Sequence, residues 1–289
     1  MIILKIVFLF LAVSISASNK SNPEKAVFNI GDSVQVETDV DLPVLSKTTP
    51  FQNGEVLSFR IRYGFITAGS AKMKVFTKMY DDTTQVFHLQ TTAKSASGFS
   101  WIYKVDDVVN SYVDFDDFYP IRFEKKLREG SYLADLFTDY HPLDSLAKVE
   151  TIRYTSDMEV RKRKKYDVAV PPYCQDILSS FYYIRRFDLK VGESLFLTNH
   201  EKKKVYDLEV LVHKKEVIEV EAGKFRCIVV EPIIKGEGLF KKKGRLKVWL
   251  TDDDKKIPIQ MKSEVLVGNI TTELTKIKGV KDKIEAKIK

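Results

Sequence analysis

VPPYCQDILSSFYYIRRF, Val170 to Phe187, is the one stretch of this chain that reads as a helix among segments that alternate like strands. Cys174, Ile177, Leu178, Phe181 and Ile184 recur at three- and four-residue steps and so share one helical face. Pro171 and Pro172 stop any preceding strand, Asp176 suits the first helical turn, and Arg185 and Arg186 suit the last. Ser179 falls on the far side of the wheel from Phe181, which predicts a wet face there. A lone amphipathic helix must bury its apolar face, and the partner on offer is a sheet.

The segments on either side supply that sheet. From Val56 to Tyr63 apolar and polar residues alternate strictly, with Leu57, Phe59, Ile61 and Tyr63 facing inward. Ala71 to Tyr80 and Gln85 to Ala93 alternate again, and turn residues separate the three into an up-and-down meander. Further strand-like segments run from Ile102 to Val168 before the helix and from Glu193 to Lys276 after it. Two of these, Val205 to His213 and Glu216 to Val220, read as separate strands. The turns are too short for parallel neighbours. A sheet this wide accumulates twist and must curl or split. The fold class is therefore mainly β: a strongly curved antiparallel sheet, or an incomplete β-barrel, of roughly 12–15 strands with one central amphipathic helix. A two-sheet β-sandwich with a peripheral helix is the alternative.

The ends of the chain read differently. Residues 1–18 combine Lys5, an apolar run from Ile6 to Val13 and small residues at 14–18, the pattern of a cleaved signal peptide. That run is shorter than the roughly 20 residues a spanning helix needs, and no later stretch supplies a span in the mature chain. Residues 19–50 form a polar leader expected to be flexible, residues 51–279 a single β-rich domain, and residues 280–289 a basic tail expected to fray. The expected fate is export through a cleaved signal peptide. It disfavours nucleic acid as the partner behind the net charge of +7. The basic runs Arg161–Lys165, Lys202–Lys204 and Lys241–Lys243 read as solvated turns, or more sharply as a surface for anionic envelope lipid or phosphorylated glycan. Export also permits a disulfide between Cys174 and Cys227, the two cysteines of the chain, which would tie the helix to the sheet.

Several stretches resemble a family of exported bacterial proteins, the domain of unknown function 3108. They are FQNGEVLSFRIRYGFITAG at 51–69, SGFSWIYKVDDVVNSYVD at 97–114, VPPYCQDILSSFYYIRR at 170–186, GKFRCIVVEP at 223–232 and WLTDDDKKIPIQMKSEVLVGNITTEL at 249–274. The resemblance covers about Phe51 to Gly279, with its pieces in order, and the PP-x-x-QD-x-LS-x-FYY segment is the most specific. It implies a periplasmic setting in a Gram-negative bacterium. It implies no activity.

Motifs of catalysis are weak. There is no G-x-S-x-G elbow, no paired-histidine metal motif and no C-x-x-C, so neither a catalytic residue, a metal site nor a cofactor is assigned. Asp116-Asp117 and Asp252–Asp254 sit where turns are expected. Asp106 and Asp107 fall mid-strand, and whichever faces inward needs a partner, with Arg60 and Arg62 as candidates. The remaining signal is aromatic. Trp101, Tyr103, Phe181, Tyr182, Tyr183 and Trp249 are the candidate ligand-binding residues if the sheet curls around the helix, with ordinary core filling as the competing use.

These features favour a non-enzymatic periplasmic protein that binds or carries an apolar or amphipathic envelope ligand such as a lipid or acyl chain. An interaction module that docks on an envelope protein, without a small ligand, is the second reading. A carboxylate-based glycan hydrolase is the third.

Overall fold

The computed structural model describes residues 49–101, 103–234, 245–264 and 268–288. Residues 1–18, read as a signal peptide, the expected leader as far as residue 48 and the run Lys241–Lys243 lie outside the described residues.

The first half of the domain is a meander of eight strands: β1 (Val56–Tyr63), β2 (Ile66–Met79), β3 (Gln85–Ser95), β4 (Asp106–Asp114), β5 (Pro120–Glu129), β6 (Tyr132–His141), β7 (Leu146–Tyr154) and β8 (Val160–Ala169). A four-residue helix α1 (Ser97–Ser100) lies between β3 and β4. The central helix α2 (Ile177–Ile184) follows β8. A second meander then runs through β9 (Ser194–Glu201), β10 (Lys204–Val220), β11 (Gly223–Ile234), β12 (Leu246–Thr251), β13 (Pro258–Glu264) and β14 (Asn269–Lys278), and β15 (Lys287–Ile288) ends the described chain.

All fifteen strands belong to one sheet, ordered β8-β7-β6-β5-β4-β3-β2-β1-β14-β13-β12-β11-β10-β9, with β15 added beside β11. The chain thus walks outward from β1 to one edge, crosses through α2 to the other edge, and walks back until β14 pairs with β1. The sheet is strongly antiparallel and does not close into a barrel. Register shifts in the β1–β2, β1–β14, β4–β5, β7–β8, β10–β11 and β12–β13 pairs are bulges of the kind that increase twist and bend a sheet. Gly69 allows β2 and β3 to close together, because a Cβ there would lie 2.4 Å from the Lys94 carbonyl oxygen. Curvature brings the two ends of the sheet near one another. Gln175 forms a parallel bridge to Asn199 of β9, Lys125 of β5 pairs with Glu201 of β9, and Tyr140 of β6 reaches His200 of β9.

The helix lies inside that curve, packed on β4 and β9. It is shorter than its periodicity suggests, and Cys174 precedes it rather than sharing its face. Leu178, Phe181 and Ile184 are buried as expected. Ser179 is not on a wet face: it is fully buried, because a helix inside a curled sheet is covered on nearly all sides. Its Oγ accepts the Asp176 N–H at 2.9 Å, while the Asp176 carboxylate accepts the N–H groups of Leu178 and Ser179, a reciprocal cap of the first turn. Ser111 of β4 donates to the other Asp176 oxygen at 2.5 Å. Burial pushes the Asp176 carboxyl up to about 6 against the pull of these donors.

Arg185, just past the helix, turns its side chain into the core and is the largest fully buried side chain described. Glu55 grips it bidentately at 2.7 and 2.9 Å, the carbonyls of Pro50 and Lys255 accept further N–H groups, and the rings of Phe51 and Tyr182 flank it. This pair joins the entry to β1, the helix and the β12–β13 turn.

Other differences from the sequence reading are local. β10 is continuous across its bulge at Val212/Lys214, so the two strands read there are one. The tail is docked rather than frayed: Ala286 is fully buried, its N–H bonds Asp253, and β15 pairs with β11. Asp107 does not meet Arg60 or Arg62, which pair with Glu221 of the β10–β11 turn and Glu273 of β14.

A basic cleft at the open end of the sheet

Alternation along the end strands decides what faces the inside of the curve. Leu127 is opposite Ala134, Lys125 opposite Leu136, Ala134 opposite Arg153, Thr151 opposite Lys164 and Arg153 opposite Lys162, so these side chains share the concave face. Elsewhere that face is filled by the core and α2. Beyond the helix it is open, and the β9–β10 hairpin, with Lys202 and Lys203 at its tip, curls over it. The result is a cleft of about 430 Å³. Its floor is Leu127, Ala134 and Leu136, with Tyr132 and Tyr166 on its walls.

Its charge is one-sided. Lys125, Arg153, Lys162, Lys164, Lys202, Lys203 and Lys204 line it, against Asp135 and Glu201. Both carboxylates are engaged: Glu201 pairs with Lys125 at 3.2 Å with both side chains buried, and Asp135 accepts from Arg128 at 2.8 Å and Tyr154 at 2.9 Å. Lys162 and Lys164 make no ion pair among the described residues. Arg153 lies 3.5 Å over the Tyr132 ring, and its Nη1 is buried with no hydrogen-bond partner among the described residues. Lys203 sits 4.9 Å over the ring of Tyr166, whose phenol is raised above its ordinary value by burial and by Glu201. Inward charges on an edge strand deter pairing with other chains, and β8 is such an edge. Arg153 is on β7, one strand inside the edge, where that purpose does not apply.

Hydrogen bonds hold the base of the β9–β10 hairpin. His200 donates from Nε2 to the Lys202 carbonyl at 2.7 Å, which leaves Nδ1 to accept the Tyr140 hydroxyl at 3.2 Å. Burial lowers the His200 pKa, in keeping with a neutral ring. This pins the base of the hairpin that carries Lys202 and Lys203.

The sequence-derived candidates do not assemble into one pocket. Phe181 and Tyr182 are buried in the core around Arg185 and Phe51. Tyr183 stacks on Phe118 beside them. Trp249 is buried on β12 and donates its indole N–H to Glu216. Tyr103 packs against Gly130 and donates to the Glu129 carbonyl at 3.4 Å. Trp101 is 81% exposed beyond α1. Core filling is thus the use of most of these rings, since an inward aromatic face packs wherever the sheet closes on the helix.

Cys174 and Cys227 are free and buried, two unpaired thiols rather than the bridge that export would permit. They occupy different surroundings: Cys174 lies near Asp176 and Tyr140, Cys227 near Glu216 and Asp252. Burial pushes both thiols up to about 12, which makes them poor nucleophiles.

The carboxylates take structural places. Asp114 accepts the N–H groups of Asp116 and Asp117, and Asp253 those of Lys255 and Ala286, so both groups serve turns. Asp107 is fully buried, accepts the Arg128 N–H at 2.7 Å and lies against Glu129; burial and that neighbouring carboxyl raise its pKa.

Local reading missed the cleft because five of its seven cations come from two basic runs on either side of the α2 crossover and the other two, Lys125 and Arg153, from separate strands. The available signal was the spacing of Lys162, Lys164 and Tyr166, which puts them on one face of β8.

The overall architecture is similar to two solved structures. A beta-barrel-like protein of domain of unknown function DUF1849 from Brucella abortus covers 81% of this chain and 99% of its own, at 10% identity and a TM-score of 0.48. A protein with YmcC-like fold from Bacteroides fragilis covers 82% of this chain and 100% of its own, at 10% identity and a TM-score of 0.36. No curated protein matches the chain. The family model described as protein of unknown function (DUF3108) matches residues 58–275, from β1 through β14, and the chain therefore belongs to the DUF3108 family.

Proposed function

We propose that this protein is a non-enzymatic envelope protein whose basic cleft binds an anionic amphiphile, with an acyl or other apolar portion on the Leu127–Ala134–Leu136 floor and the anionic group among Arg153, Lys162, Lys164 and the hairpin lysines. The carrying observation is the cleft itself: about 430 Å³ of concave space with an apolar floor and cations in excess. That volume lies within the range of small-molecule sites, roughly 300–1,000 Å³. Arg153, Lys162 and Lys164 have no carboxylate partner among the described residues, so an incoming anion need not displace an ion pair of theirs. The amino-terminal segment supports a periplasmic location for this role.

Native mass spectrometry of protein purified from its own host tests the reading directly. The expected result is a co-purified species of lipid-like mass that is lost when Lys162 and Lys164 are both changed to Glu. Protein that carries no added mass, and that takes up no anionic amphiphile when one is supplied, would overturn it.

A further inference from the structure

One end of the curved sheet carries features suited to a lipid surface. Strand register places a series of turns on a single rim. Tyr63 pairs with Ile66 at the β1–β2 hairpin, Gly69 of β2 lies beside Ser95 of β3, Val105 lies beside Glu129, and Tyr154 of β7 pairs with Val160 of β8. The β9–β10 hairpin, closed by Lys204 and Glu201, turns at the same end of its own strands.

Apolar side chains project from this rim. Phe65 is 96% exposed at the tip of the β1–β2 hairpin, next to the exposed Ile66. Trp101 is anchored by its indole N–H to the Gly98 carbonyl at 3.0 Å, which leaves the ring outside. Met158 and Val160 are exposed at the β7–β8 turn. An exposed apolar tip alone means little, and the opposite rim has its own in Leu143 and Tyr173. Charge separates the two rims. Turns at the Leu143 end contain Asp81, Asp82, Asp116, Asp117, Asp144, Glu221 and Asp252–Asp254, beside Lys255 and Lys256, whereas the Phe65 end holds the cluster of Arg153, Lys162, Lys164, Lys202 and Lys203, with Asp157 and Glu159 in its β7–β8 turn. Apolar and aromatic tips beside clustered cations match the chemistry of an anionic bilayer surface. Rings settle at the headgroup level and each lysine or arginine adds electrostatic attraction.

We infer that the rim formed by the β1–β2 hairpin, the α1 segment and the β7–β8 and β9–β10 turns docks on an anionic lipid membrane, with Phe65 and Trp101 inserted at the interface. Lys202 and Lys203 of that rim also line the cleft, so docking brings the cleft beside the membrane. The docking surface stands on its own, however, and does not require that the cleft have an occupant.

Trp101 is a local reporter, because the other tryptophan, Trp249, is buried. Host-purified protein is mixed with vesicles of phosphatidylcholine alone or with phosphatidylglycerol, with and without brominated acyl chains. On anionic vesicles, Trp101 emission should shift to the blue and be quenched by the bromolipid, and the quenching should vanish in Trp101→Phe. Phe65→Ser with Ile66→Ser, and separately Lys202→Glu with Lys203→Glu, should each weaken vesicle binding about tenfold or more. Leu143→Ser should leave it unchanged. All these side chains are on the surface, and unchanged melting temperatures verify that the variants fold. Absence of vesicle binding, binding without quenching of Trp101, or an equal loss in Leu143→Ser would each overturn the proposal. A lysolipid titration without vesicles reports on the cleft separately, so failure of one does not mask failure of the other.

Discussion

Two groups of inward-facing cations on the same concave surface have opposite surroundings. Arg185 is fully enclosed and matched on every side, by both oxygens of Glu55, by two carbonyls and by two aromatic rings. Arg153, Lys162 and Lys164 line a cleft with an apolar floor and make no ion pair among the described residues. The first arrangement ties three parts of one domain together. The second leaves charge available, which is what recognition of an anion requires. A charge that is already satisfied is evidence about architecture, and one that is not is evidence about ligands.

The largest expected effect lies in the enclosed region. Glu55→Ala leaves Arg185 buried without its counter-charge, a change that costs roughly 3–5 kcal/mol. For a domain of this size each kcal/mol lowers the melting temperature by about 2–4 °C. Lys162→Ala and Lys164→Ala should each alter stability by less than about 0.5 kcal/mol. Denaturant titration of the three variants breaks the contrast if Glu55→Ala is as stable as wild type.

Truncation within the helix should come next. Phe181→Ala removes a buried ring and leaves a cavity, typically about 3–5 kcal/mol at a core site that cannot collapse. Ser179→Ala loses the Oγ that accepts the Asp176 N–H and should cost about 1 kcal/mol. If Phe181→Ala left stability intact, α2 would be a movable lid rather than part of the core.

A smaller effect concerns pH. The Asp176 carboxyl is raised by burial to about 6 from an ordinary value near 3.8. The folded state therefore binds a proton more readily than the unfolded chain. This group's contribution is fully present below about pH 4 and is lost as pH rises through about 6. Asp176→Asn resembles the protonated form and should remove that component. Relative to the variant, wild type is expected to lose stability between pH 4 and 6, and stability curves of the two that run parallel over this range would contradict the assignment.

Much of the architecture was legible because it is written in short-range periodicity. Alternation marked the strands, the two prolines and the apolar spacing from Cys174 to Ile184 marked the helix though not its start, and short turns required antiparallel pairing. What escaped depended on distant partners. Ser179 looked solvent-facing because a helical wheel cannot know that the sheet wraps the far side. Arg185 looked like a helix-terminal surface cation, and nothing local signals that Glu55 is waiting across 130 positions of sequence. Trp101 and Trp249 looked alike as aromatic candidates, yet one caps an exposed turn and the other fills the core. The cleft was hidden for the same reason, since Arg153, Lys162 and Lys203 meet only when β7, β8 and the β9–β10 hairpin close over one another.

The most direct test of the cleft is a calorimetric titration with two single-chain lipids of equal acyl length, lysophosphatidic acid and a neutral monoacylglycerol, both kept below their micelle thresholds. The expected result is saturable binding of the phosphate-bearing lipid and much weaker binding of the neutral one. Lys162→Glu with Lys164→Glu should weaken the former at least about tenfold, since hydrogen bonds to charged groups contribute roughly 1.5–3 kcal/mol each. Equal affinity for the two lipids, or binding of the phosphate-bearing lipid that is unchanged in the double variant, would contradict a cleft built for an anionic amphiphile.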